Sequence, residues 1–187
     1  MSRILDDKIT IELNGQKYQA RFDLLAIAEC QYYLKSRGHK EITVPKLFQA
    51  IQEEDYFVIC NLLAFAIKSC NPGKKLVDIY LDMKFADRGN VQMALMELIQ
   101  ASMPKNDESK KEEDLPPSRR KLKSEQDWDL EYYQYIWTSI LNRSEESFWK
   151  LTPRKLFIQI DKHIEYNTPK DKTEEKKREY VNHTEWM

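Results

Sequence analysis

Between Pro104 and Gln126 the chain reads PKNDESKKEEDLPPSRRKLKSEQ, acidic up to Asp114 and basic from Arg119. Leu115 and Leu122 are its only large apolar residues, and Pro116 and Pro117 stand side by side. A stretch like this cannot bury enough surface to offset the entropy of ordering its backbone. It predicts a disordered, charged linker over 104–126, and so it divides the foldable sequence into 1–103 and 127–167, followed by a charged, flexible tail, 168–187. A chain of 187 residues is long enough for one large domain or two small ones. The linker favours the second arrangement.

The first part opens with ITIELNGQKYQARF, residues 9–22. Ile9, Ile11 and Leu13 alternate with polar residues, Asn14-Gly15 supplies the positive-φ pair of a type I′ turn, and Tyr18, Ala20 and Phe22 resume the alternation. A two-residue loop sets Leu13 opposite Gln16, Glu12 opposite Lys17 and Ile11 opposite Tyr18. One face of this hairpin is apolar, and a lone hairpin is marginal in water, so that face must pack on helices.

Helical signals follow in series. Asp23 is placed to cap LLAIAECQYYLKSR, with Leu24, Ile27, Ala28 and Leu34 on one stripe, Tyr32 at its border, and Gly38 ending it in the left-handed conformation. Thr43 and Pro45 mark the start of a helix carrying Leu47, Phe48 and Ile51. DYFVICNLLAFAIKSC is apolar nearly all round, as suits the central helix of a small bundle, and Asn71-Pro72-Gly73 stops it. KLVDIYLDMKF and NVQMALMELIQASM add two more helices, separated by a turn at Asp87 to Gly89. The fold class expected is α+β: an N-terminal β-hairpin packed on a small helical bundle, then the linker, then a small all-α unit.

In that unit Asp127 is a candidate cap for DWDLEYYQYIWTSILN. Trp128, Tyr132, Tyr135 and Ile136 follow helical spacing, and Trp137 and Ile140 widen the stripe. Ser144 precedes a short turn bearing Phe148 and Trp149, and Thr152-Pro153 starts a last helix, PRKLFIQIDKHIEY. So small a unit cannot enclose so many rings by itself, and a helical hairpin relying on aromatic burial or on a partner is expected.

Composition narrows the function classes. Charged residues are 33% of the chain against the usual quarter, yet 30 bases and 31 acids leave a net charge of -1, so no global field draws the protein to nucleic acid. PPSRRKLKS is basic, but the last helix offers Phe157, Ile158 and Ile160 where a DNA-reading helix would carry Arg, Asn and Gln. No apolar run approaches roughly 18 residues, and Met1 to Lys8 is polar, which argues against a membrane span or a cleavable leader. Cys30, Cys60 and Cys70 lack the paired spacing of a zinc site, and the three histidines are scattered. Four dispersed glycines, each with a turn role, form no phosphate loop. No cofactor, metal or catalytic set is expected, and the chain reads as a soluble, non-enzymatic protein.

The hairpin and first helix, ITIELNGQKYQARFDLLAIAE, the charged linker, and above all YYQYIWTSILNRSEESFWKLTPRKLFIQI resemble the tail assembly chaperones of long-tailed bacteriophages. The family pattern S-x-E-x-F-W-x-L-T-P-R-x-L is matched at Ser144, Glu146, Phe148, Trp149, Leu151, Thr152, Pro153, Arg154 and Leu156. The resemblance implies a protein that keeps the tape-measure protein soluble and recruits major tail-tube subunits to it in the host cell cytoplasm. Such a protein is absent from the mature virion, and self-association is compatible with the role. Partner-binding residues are expected among the exposed edges of Trp128, Tyr132, Tyr133, Trp137, Phe148, Trp149, Leu151, Pro153, Arg154 and Leu156. Two other readings remain open: a structural tail or head-tail connector component, and a small DNA-binding regulator.

Overall fold

The computed structural model describes residues 8–104 and 127–167. The expected linker, Pro104 apart, and the expected charged tail lie outside the described residues. The architecture is α+β and mostly helical, with a two-stranded antiparallel sheet.

Strands β1 (Ile9–Leu13) and β2 (Gln16–Ala20) pair with Leu13 opposite Gln16, Glu12 opposite Lys17 and Ile11 opposite Tyr18. Asn14 and Gly15 take φ of 50° and 73°, the positive values that a type I′ turn requires at both centres. Ile11, Leu13, Tyr18 and Ala20 are buried on one face, as the alternation requires. Helix α1 (Leu24–Ser36) is capped by Asp23, whose carboxylate accepts from the Ala26 N–H at 2.9 Å. Gly38, at φ 104°, closes it: the His39 N–H returns to the Leu34 carbonyl and the Gly38 N–H to that of Lys35, the paired bonds of a Schellman end. Tyr32, expected at the border of the buried stripe, is 77% exposed.

Helix α2 (Val44–Gln52) begins after the Thr43 cap, and α3 (Tyr56–Cys70) after Asp55. The all-round apolar character of α3 is explained by its neighbours, since it touches β2, α1, α2, α4 (Leu76–Phe85) and α5 (Arg88–Ser102). The turn expected at Asp87 to Gly89 is shorter than the sequence suggests. Asp87 is itself the cap of α5, accepting from Gly89 and Asn90, so Arg88 and Gly89 belong to the helix. Two side-chain bonds tie α4 down: the Tyr18 hydroxyl donates to Asp82, and the Tyr80 hydroxyl donates to the buried Asn61 at 2.6 Å.

Residues 127–167 form α6 (Leu130–Tyr135), a π-helical turn at Ile136–Ile140, α7 (Glu145–Trp149) and α8 (Pro153–Asn167). Asp127 does not cap α6. Asp129 does, accepting from the Tyr132 N–H at 2.9 Å, because it stands directly before Leu130. The π turn changes the helical phase. Trp128, on which the expected stripe is anchored, lies before the helix start, so Tyr133, Ile136 and Trp137 face inward, while Tyr132, Tyr135 and Ile140, expected on the buried stripe, are 46%, 57% and 45% exposed.

These C-terminal elements finish helix ends of the N-terminal part. The first N–H groups and last C=O groups of any helix lack partners within it. The Leu24 N–H, at the start of α1, donates to the Leu151 carbonyl at 2.9 Å. The Val44 N–H, at the start of α2, donates to Asp127 at 2.8 Å, and Gln31 also donates to that carboxylate. At the end of α5, the Arg154 guanidinium donates to the carbonyls of Gln100 and of Met103, the latter at 2.9 Å. Rings fill the seam between these ties: Phe22 meets Phe48 edge-on, Phe48 stacks on Trp128, and Trp128 and Tyr133 both approach Phe157 edge-on, at 5.9 and 5.4 Å.

Candidate functional site

The aromatic corner expected to meet a partner is largely occupied by the protein's own packing. Trp128, Tyr133, Trp137, Phe148, Pro153 and Leu156 are buried. Trp149, Leu151 and Arg154 are partly covered, and Tyr132 stands exposed. Ser144 caps α7 by accepting from the Ser147 N–H, as its position predicted, and the Trp137 indole donates to Ser147 Oγ at 2.9 Å, fixing the corner between the π turn and α7. Phe148 and Trp149 meet edge-on at 5.1 Å inside that corner. Burial pushes the Tyr133 hydroxyl pKa up to about 12, with the carboxylate of Asp129 adding to the shift. This is a structural use of the motif: its residues close the corner and reach α1 through the Leu151 carbonyl and α5 through Arg154.

The apolar surface left open lies elsewhere. On α4, Val77, Leu81 and Phe85 recur at every fourth residue and are 56%, 48% and 68% exposed. Ile79 and Met83 supply the buried side of the same helix. The signal was present in KLVDIYLDMKF, which holds more apolar residues than one buried stripe can use. Phe85 and Met93 line a cleft between the hairpin and α5, together with Thr10, Glu12, Asp87 and Glu97. Met96, one turn beyond Met93 on α5, is also exposed. Methionine is unbranched and polarisable, so a surface of Val, Leu, Phe and Met can adapt to apolar partners of differing shape.

Comparison with protein-family models, with curated proteins and with solved structures finds no match.

The site must therefore be read from its own chemistry. Among the described residues, no three His, Cys, Asp or Glu side chains converge to hold a metal ion, and no helix is long and apolar enough to cross a membrane. Cys30 is fully buried, and burial pushes its thiol pKa up to about 12. Burial also raises the thiols of Cys60 and Cys70, which keeps all three in the less reactive protonated form. What the described surface offers is an apolar stripe on a helix, set among charged side chains.

Proposed function

We propose that this protein is a tail assembly chaperone of the long-tailed phage type, holding an apolar helical segment of a tape-measure protein against α4 during assembly in the host cytoplasm. The observation that carries the reading is the exposed Val77, Leu81 and Phe85 stripe. Successive i, i+4 positions match the spacing at which a client helix presents its own apolar face. The 33% charged composition keeps a protein with such a stripe in solution. The match of residues 144–156 to the chaperone pattern supports the same reading.

Client roles are divided. The N-terminal part takes the tape-measure segment through α4, and the exposed Tyr132, Tyr135 and Ile140 side of the C-terminal part recruits tail-tube subunits. Removing residues 127–187 is a poor test, because it strips the partners from the ends of α1, α2 and α5. Point substitutions on the open surfaces are cleaner. Co-expression of wild-type protein with a tape-measure fragment is expected to keep the fragment in the soluble fraction, and Leu81→Asp, folded as wild type, to leave it in the pellet. Retention of the fragment by Leu81→Asp, or its loss on Tyr135→Asp, would reverse the assignment.

A further inference from the structure

The two edges of the hairpin differ in how their backbone is used. A two-residue loop makes Leu13 and Gln16 a pair that exchanges both hydrogen bonds, and such pairs alternate along the ladder. Inward bonding thus belongs to Leu13/Gln16, Ile11/Tyr18 and Ile9/Ala20, while the backbone groups of the residues between them point away from the hairpin. On the β2 side these outward groups are satisfied: the Gln19 carbonyl accepts from Asn71 Nδ2 at 2.6 Å, and the Arg21 N–H donates to the Ala66 carbonyl at 3.1 Å. On β1 they belong to Thr10 and Glu12, both exposed, and among the described residues nothing bonds to them. Thr10 and Glu12 also form the wall of the cleft that faces Phe85 and Met93. An unpaired strand edge beside exposed apolar side chains is a template for another strand.

We propose that β1 pairs with β1 of a second copy of this chain, antiparallel about a two-fold axis at Thr10, to make one sheet shared by two chains. The occupant follows from register and charge. Because the outward groups sit at even-numbered positions, an antiparallel partner must oppose even to even. Centred on Thr10, this sets Lys8 opposite the partner's Glu12 and Glu12 opposite the partner's Lys8, so unlike charges meet on both sides of the axis. A shift of two residues either way breaks both pairs, leaving Lys8 opposite Asn14 or Thr10. The ionisable side chains lining the cleft, Glu12, Asp87 and Glu97, are all acidic, which suits the arrival of the partner's Lys8. The added strand also covers Met93, now 61% exposed, and the Phe85 end of the α4 stripe, and leaves Val77 and Leu81 open to a client. An edge that is its own complement closes as a dimer and does not extend. The pairing does not rest on the client reading, which is tested at Leu81 and Tyr135.

Crosslinking of the full chain tests the register. Narrow antiparallel pairs hold their Cα atoms about 5.5 Å apart, within disulfide range. Under mild oxidation Thr10→Cys is expected to give a covalent dimer, whereas wild type and Gln19→Cys, on the covered β2 edge, give none. Light scattering of the wild type is expected to show a dimer. Lys8→Glu weakens it roughly ten-fold by setting like charges opposite each other, and Lys8→Glu/Glu12→Lys restores it. Lys17 faces position 12 in the same hairpin, so melting curves accompany each variant. A monomeric wild type, equal crosslinking of Thr10→Cys and Gln19→Cys, or a folded double variant no tighter than Lys8→Glu overturns the proposal, and a foreign peptide seated on β1 does the same.

Discussion

Asp127 accepts the backbone N–H of Val44 at 2.8 Å across 83 residues of sequence. The first described residue after the charged stretch thereby completes the start of a helix in the N-terminal part. Contacts from Gln31 at 2.5 Å and Lys35 at 3.4 Å fasten it to α1 as well. Replacing Asp127 with Ala removes an acceptor at a helix N-terminus and leaves the Gln31 amide with the Ile42 carbonyl alone. The expected cost is about 1–2 kcal/mol. Urea denaturation should show a lower midpoint with an unchanged slope, since the surface exposed on unfolding stays the same.

The shared ring seam predicts one cooperative transition. All four tryptophans lie beyond residue 126, whereas most of the helix among the described residues lies before it. Tryptophan fluorescence thus follows the C-terminal part and far-ultraviolet circular dichroism follows mainly the N-terminal part. The two melting curves should coincide. Phe157, fully buried between Trp128 and Tyr133, should cost roughly 3–5 kcal/mol when replaced by Ala and should shift both curves together.

Arg154 binds two carbonyls at the end of α5 with one guanidinium. Arg154→Ala should lose roughly 1–3 kcal/mol, and Arg154→Lys should recover little of it, because an ammonium lacks the rigid fork of donors. Hydrogen exchange at the last turn of α5 would register the loss locally.

Alkaline pH should loosen the hairpin from α4. Burial, then the hydrogen bond to Asp82, pushes the Tyr18 hydroxyl from its ordinary value near 10 up to about 12. The folded protein keeps a proton there that the unfolded chain releases. This contribution to stability is therefore complete below about pH 10 and is lost as pH rises to about 12. Denaturation midpoints measured across that window should fall less steeply for Tyr18→Phe than for the wild type.

Local chemistry makes the hairpin and several helix starts legible. Asn14-Gly15 and strict alternation set the hairpin register, and Asp23, Thr43 and Ser144 cap the helices they precede. Three features escaped because they depend on residues far apart in sequence or on a change of helical phase. Asp127 looked like a local cap, but Asp129 is nearer to Leu130 and takes that role, freeing Asp127 to reach α2. The broad stripe from Trp128 to Ile140 suggests a simple helix, whereas the helix starts only at Leu130, leaving Trp128 off it, and passes into a π turn at Ile136, with Ile140 outward. The C-terminal rings looked too numerous for a small unit to bury, and Phe48 and the ends of α1, α2 and α5 supply what that unit lacks. The open stripe on α4 is not legible for a separate reason: a helix of mixed apolar character reads as core when the number of its neighbours is unknown.

The proposal that α4 holds the tape-measure segment is tested most directly by hydrogen-deuterium exchange with and without a tape-measure fragment. Binding is expected to slow exchange across Leu76–Phe85 and the adjoining first turns of α5, with residues 130–167 unchanged. Slowing confined to residues 130–167, with α4 exchanging as in the free protein, would contradict it.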